Sequence, residues 1–126
     1  MNIKHNPAVL ALPSFYSHGV ETSGSARVLY ISGQVPVDNA GHIPETMAAQ
    51  TAMSFDKLKQ VLASAGMTLN DVTRMTYYLT SRDDYEEFTK ERLIQLGGAK
   101  PGSTLVYVAG LAHPKYRVEI EAIAVA

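Results

Sequence analysis

The stretch Pro101-Gly102-Ser103-Thr104-Leu105-Val106-Tyr107-Val108-Ala109-Gly110-Leu111 and the closing run Arg117-Val118-Glu119-Ile120-Glu121-Ala122-Ile123-Ala124-Val125-Ala126 decide how this chain is built. Both are β-rich, and the connection between them carries turn chemistry with too little room for a helix. Alternation puts Ser103, Leu105 and Tyr107 on one face of the first strand, and Glu119 and Glu121 on one face of the second. Two carboxylates in an otherwise apolar strand are unusual, because strands tend to exclude Glu. An edge strand that turns Glu119 to water accounts for the first. Glu121 sits in sequence between Ile120, Ala122, Ile123, Ala124 and Val125, and a carboxyl crowded by such neighbours has a specific partner or a raised pKa.

Working outward, the period changes with position. Residues 1–14 read as an extended lead-in, with Pro7 and Pro13 against helix. A first strand is expected over 15–22, a turn at Ser23-Gly24-Ser25, and a clear strand over 27–32. From Glu45 the apolar residues Ala48, Thr51 or Ala52, Phe55, Leu58 and Leu62 recur at three- and four-residue steps, which is one helical face, and Gly66 suits its C-terminus. Residues 71–80 alternate as a strand. Ser81 or Asp83 can cap a second helix that Gly97-Gly98 ends. This order predicts a two-layer α+β domain over residues 1–126, a mixed sheet packed on two helices. Two helices cover one sheet face only. Tyr30, Leu105, Tyr107, Ile123 and Val125 were they all left on the other would form too large a wet apolar surface, and burial by other subunits resolves that.

Composition narrows function. The chain has 126 residues, 46% hydrophobic and 18% charged, with net charge -1. That is ordinary globular composition with no broad attraction for nucleic acid or anionic lipid. With no cysteine there is no thiol nucleophile, disulfide or Cys-based metal site. His5, His18, His42 and His113 follow no metal-ligand spacing, so neither a metal nor another cofactor is expected. No apolar run approaches the ~20 residues that cross a bilayer, and the N-terminal residues lack a signal-type apolar core. A cytoplasmic protein without membrane or nucleic-acid partners is expected.

Several motifs together resemble the RidA/YjgF family, the reactive intermediate deaminases. They are Pro101, the strand 106–111, the six-residue gap 112–117 and Val118-Glu119-Ile120-Glu121. Upstream, Tyr16-Ser17, Leu29-Tyr30-Ile31-Ser32-Gly33-Gln34-Val35-Pro36, Ala65-Gly66 and Asp71-Val72 add to the likeness, which covers nearly the whole chain. The resemblance implies a chorismate mutase-like fold, a homotrimer, and a small-molecule ligand in a cleft between subunits. It implies that Tyr16 positions ligand or water and that Glu121 holds or protonates a water. The chain departs from the pattern at Ser103, where the family's imine deaminases carry the Arg that holds the substrate carboxylate, and at Leu105, the family's Cys position. The asparagine that some relatives place in the second helix falls at about Thr89.

One further residue is notable on chemical grounds. On a helical wheel Tyr85, Phe88, Leu93 and Leu96 share a stripe, and Arg92 falls in its middle. Its guanidinium is expected to snorkel, to pair with a carboxylate such as Asp84 or Glu121, or to hold an anionic ligand. The candidate site is thus Glu121 and Tyr16 as catalytic groups, with Ser103, Leu105 and Arg92 as ligand contacts. No Gly-x-Ser-x-Gly elbow or positioned base supports a serine nucleophile. Three functions are carried forward: hydrolysis of a small enamine or imine that is not a standard 2-imino acid, metabolite binding without turnover, and RNA cleavage, which the net charge disfavours.

Overall fold

A computed structural model describes residues 2–8, 15–24 and 27–126. Among these the chain runs β1 (Asn2–His5), β2 (Gly19–Thr22), β3 (Val28–Gln34), α1 (Met47–Ser64), β4 (Val72–Leu79), α2 (Tyr85–Leu96), β5 (Gly102–Tyr107) and β6 (Val118–Val125). Strands β3, β6, β4 and β5 form one sheet in that order. β6 is antiparallel to both neighbours, while β4 and β5 are parallel, so the sheet is mixed. The expected α+β architecture of two helices on a mixed sheet is what forms.

The helices begin and end where local chemistry requires. Thr46 caps α1 by accepting from the Ala49 N–H at 3.1 Å. Thr51, Phe55, Leu58 and Leu62 are buried along one face of it. Gly66, at φ +70°, and Gly97, at φ +56°, take the left-handed conformation that closes each helix and that a Cβ would disfavour. Ser81 caps a short 3-10 turn, Arg82–Asp84, that leads into α2. On β4, Met75, Tyr77 and Leu79 alternate into the core against Phe55 and Phe88. Val118, Ile120, Ala122 and Ala124 do the same from β6.

The N-terminal part differs from expectation. Asn2–His5 is itself a strand and pairs antiparallel with Gly19–Thr22 in a separate two-stranded sheet. Residues 15–17 are not strand, because Ser17 turns its backbone N–H to the Pro101 carbonyl at 2.9 Å instead of to a ladder. Residues 9–14 of the expected lead-in, with Pro13, and Ser25 of the expected turn lie outside the described residues.

The sheet face away from the helices also needs correction. Register places Leu105 opposite Tyr77 and Tyr107 opposite Leu79, so both belong to the helix-covered face, where they pack against the core. Val125 is buried within the chain. What the open face does present is Val28, Tyr30 and Val106, exposed by 48%, 75% and 38%, with Ile123 half-buried among them. Tyr30 and Ile123 carry the apolar character expected there, joined by Val28 and Val106 in place of Leu105, Tyr107 and Val125.

Candidate functional site

Glu121 lies on the open face, opposite Thr76 on β4. Its sequence neighbours Ile120 and Ala122 point through the sheet into the core, so the crowding expected of it does not occur: a period of two separates them. It has a specific partner instead. The Tyr78 hydroxyl donates to Glu121 Oε1 at 2.5 Å. That donation raises the Tyr78 pKa above its ordinary value, helped by burial and by the charges of Glu121 and Glu119, so the phenol stays a proton-bearing donor. A cavity of about 200 Å³ on this face is lined by Tyr30, Arg74, Thr76, Glu121 and Ile123. Arg74 is held over it by a hydrogen bond to Thr104 Oγ1.

Glu119, read from the sequence as a solvent-facing edge residue, is half-buried two positions earlier on the same face. The register shift between Ile31 and Gln34 brings Gly33 beneath it. A Cβ at Gly33 would stand 1.8 Å from Glu119 Oε2, so only glycine leaves the carboxylate in place. Bulged strands often re-aim a side chain in this way. Among the described residues the Glu119 carboxylate accepts no hydrogen bond and joins no ion pair. The sequence signal for it was present in the Ser32-Gly33-Gln34 motif, but only the register shows which carboxylate that glycine serves.

The other expected residues gather on the opposite side of the sheet. Ser103 pairs with Met75 and Leu105 with Tyr77, both on the helix-covered face of the edge strand β5. Tyr16 sits beside the start of that strand, because Ser17 is tied to the carbonyls of Lys100 and Pro101. The Tyr16 ring makes edge contacts with Phe15 and His18 at 5.5 and 5.4 Å. Arg92 is on this side too, 2% exposed, with its guanidinium carbon 3.9 Å from the Phe15 ring centroid. It pairs with neither carboxylate considered for it. Asp84 is taken by Arg117 in a two-pronged contact, and Glu121 lies across the sheet. Within one chain, therefore, Ser103, Leu105 and Arg92 lie on the helix-covered side of the sheet with Tyr16 beside the start of β5, while Glu121 faces the other way. No group of three or more His, Cys, Asp and Glu able to hold a metal occurs among the described residues, and no described helix is long and apolar enough to cross a membrane.

Comparison with known proteins adds the family. A model described as endoribonuclease L-PSP, the YjgF/RidA group, matches residues 8–126. The chain belongs to this family. It is 33% identical over 119 residues to the 2-iminobutanoate/2-iminopropanoate deaminase of Escherichia coli K12, covering 87% of this chain and 86% of that one. A RutC family protein of Pyrococcus horikoshii is 34% identical over 112 residues, covering 86% and 85%. Among solved structures, the Rid family protein YyfB of Yersinia pestis, itself of unknown function, superposes with a TM-score of 0.86 at 32% identity, covering 98% and 97%. The family includes proteins named as deaminases of reactive intermediates, and this chain shares their fold.

Proposed function

We propose that this chain hydrolyses the C=N bond of a small imine, or of an enamine through its imine tautomer, and works as a homotrimer. The observation that carries the reading is the division of the site by the sheet. The carboxylates Glu119 and Glu121 lie on a face that one chain leaves open, and Ser103, Leu105 and Tyr16 lie at the β5 edge of the other face. A second copy that lays its β5 edge against the open face joins the two halves and covers Tyr30 and Val106. The cleft then holds the Glu121 carboxylate, the Arg74 guanidinium, a phenol donor and apolar walls, which suits a small ligand.

The chemistry needs one proton carrier. Glu121 takes a proton from water as the water oxygen bonds to the C=N carbon and passes that proton to the nitrogen, which gives a carbinolamine. Collapse of that intermediate forms the carbonyl and expels ammonia, with the proton returned through the same carboxyl. No metal or cofactor enters these steps.

Ser103 governs which imine is used. A 2-imino acid carries its carboxylate on the reacting carbon, and a serine offers that anion at best one neutral hydrogen bond. A guanidinium in its place would supply a charge-assisted pair worth roughly 1.5–3 kcal/mol. The preferred ligand is neutral or carries its charge elsewhere. Ammonia release from enzymatically generated 2-iminopropanoate tests this: Ser103→Arg is expected to gain about tenfold to a hundredfold in kcat/KM. Wild-type rates equal to those of an Arg-bearing relative would contradict it. The same residue favours, as a second reading, metabolite binding without turnover, and absence of ammonia release from every imine tried would select it.

A further inference from the structure

The guanidinium of Arg92 lacks the partner that a buried charge requires. Its residue is 2% exposed, and its central carbon lies 3.9, 4.9 and 5.0 Å from the ring centroids of Phe15, Phe88 and Tyr77. The ion pairs among the described residues are His5–Glu21 and Arg117–Asp84, so no described carboxylate reaches it. Nη2 donates to Thr89 Oγ1 at 3.2 Å, and the Tyr85 hydroxyl is its other polar neighbour. Nε, fully buried, donates to nothing described.

Three aromatic faces offset part of the cost of burying the charge, but a ring face does not replace an anion, and it accepts nothing from Nε. Burial holds the pKa of the group below its ordinary value, with Tyr77 and Tyr85 countering in part. An arginine still keeps its proton in proteins. A structural role alone would be filled as well by leucine or methionine, which bury at no such cost.

Position points to what the charge serves. Tyr77, under which the guanidinium lies, pairs in register with Leu105, and Met75 pairs with Ser103 on the same face. Phe15, the nearest ring, is two residues before the serine tied to Lys100 and Pro101. Arg92 therefore lies against Tyr77 and Phe15, the residues that adjoin β5: Tyr77 is the register partner of Leu105, and Phe15 precedes the Tyr16-Ser17 segment tied to Lys100 and Pro101.

We infer that Arg92 is the anion anchor of this edge, and that the ligand is a small molecule whose carboxylate is set away from its reacting carbon. The second half rests on the C=N hydrolysis proposed above; the anion-binding half does not. An arginine at position 103 would project from the strand itself. Arg92 reaches from the helix layer, beneath an aromatic ring, so a carboxylate held there lies deeper than one held by the strand. A ligand that spans from that depth to the cleft has carbons between its two functional ends, and a 2-imino acid has none.

The test uses the full chain and three carbonyl probes, which stand for hydrolysis products: levulinate (4-oxopentanoate), its neutral amide 4-oxopentanamide, and pyruvate. Calorimetric titration should show levulinate bound about tenfold to a hundredfold more tightly than the amide, and more tightly than pyruvate. In Arg92→Met the preference for levulinate over the amide should vanish while the amide binds as before. Arg92→Lys should keep part of it, and decides the matter if the methionine variant does not fold. Equal binding of levulinate and amide by the wild type, or an Arg92→Met variant that keeps the preference, would overturn the inference. So would an Arg92→Lys variant with the full wild-type preference, because a point charge cannot replace a guanidinium fork at no cost. If the preference holds and no imine is hydrolysed, the anchor stands and the hydrolytic reading falls.

Discussion

Glu121→Gln is expected to lower kcat for ammonia release by about a hundredfold or more, the scale on which a positioned proton carrier acts. The amide oxygen can still accept from the Tyr78 hydroxyl, so the local geometry survives the change. What is lost is the ability to take a proton from water as it bonds to the C=N carbon. KM should accordingly change little, since an interaction needed only in the transition state is being removed. Tyr78→Phe should cost less, because it leaves the carboxylate and takes away only its donor. An activity for Glu121→Gln within twofold of wild type would refute the role given to this residue. Glu119→Gln belongs in the same assay: loss there with a silent Glu121→Gln would move the role to the carboxylate seated over Gly33.

Asp84→Ala should destabilise the fold by about 3 kcal/mol, toward the lower end of what breaking a buried pair costs. Asp84 is 7% exposed and receives Nε and Nη2 of Arg117, the first at 3.2 Å. The same arginine donates from Nη1 to the Glu45 carbonyl at 3.0 Å, and its backbone N–H reaches Gln50 Oε1 at 2.8 Å. Gln50 is itself buried, and its amide nitrogen donates to the Pro44 and Lys115 carbonyls, both at 2.9 Å. One ion pair thereby joins the starts of α1, α2 and β6. Removing the carboxylate leaves a guanidinium that is still partly reached by water, which keeps the cost below that of a fully sealed pair. Urea denaturation should show a lower midpoint at an unchanged m-value. Arg117→Met should be damaging as well, and the double variant should cost less than the sum of the two. A shift under 0.5 kcal/mol for Asp84→Ala would show that the network adds nothing.

How far this molecule could be read before its structure depends on the range of each signal. Helix faces and ends were legible because their causes are local: Phe55, Leu58 and Leu62 repeat at the helical period, and Gly66 and Gly97 stand where a left-handed residue closes a helix. Strand alternation was legible too, and it put Ser103, Leu105 and Tyr107 together correctly. Alternation does not say which face the helices cover, so Leu105 and Tyr107 were expected on the open side and Glu121 was grouped with residues across the sheet. The Glu121 error has the same origin, since residues adjacent in a strand are on opposite faces. Asp84 and Arg117 are 33 residues apart, and nothing local links them. The β1–β2 pairing was missed because four-residue strands with one half-buried position carry almost no periodicity.

Sedimentation velocity and ammonia release, measured on the same samples of wild type and Val28→Glu, test whether the site is made by more than one copy. Val28 is 48% exposed on the open face and does not line the cavity around Glu121, so a charge there should block assembly without unfolding the chain or altering that cavity. The wild type should be a trimer at micromolar concentration and should release ammonia, above the spontaneous rate, from an imine with no carboxylate on its reacting carbon. The Val28→Glu variant should be folded and monomeric, with ammonia released at the spontaneous rate. A wild type that sediments as a stable monomer, or a monomeric variant with full turnover, would show that one copy suffices.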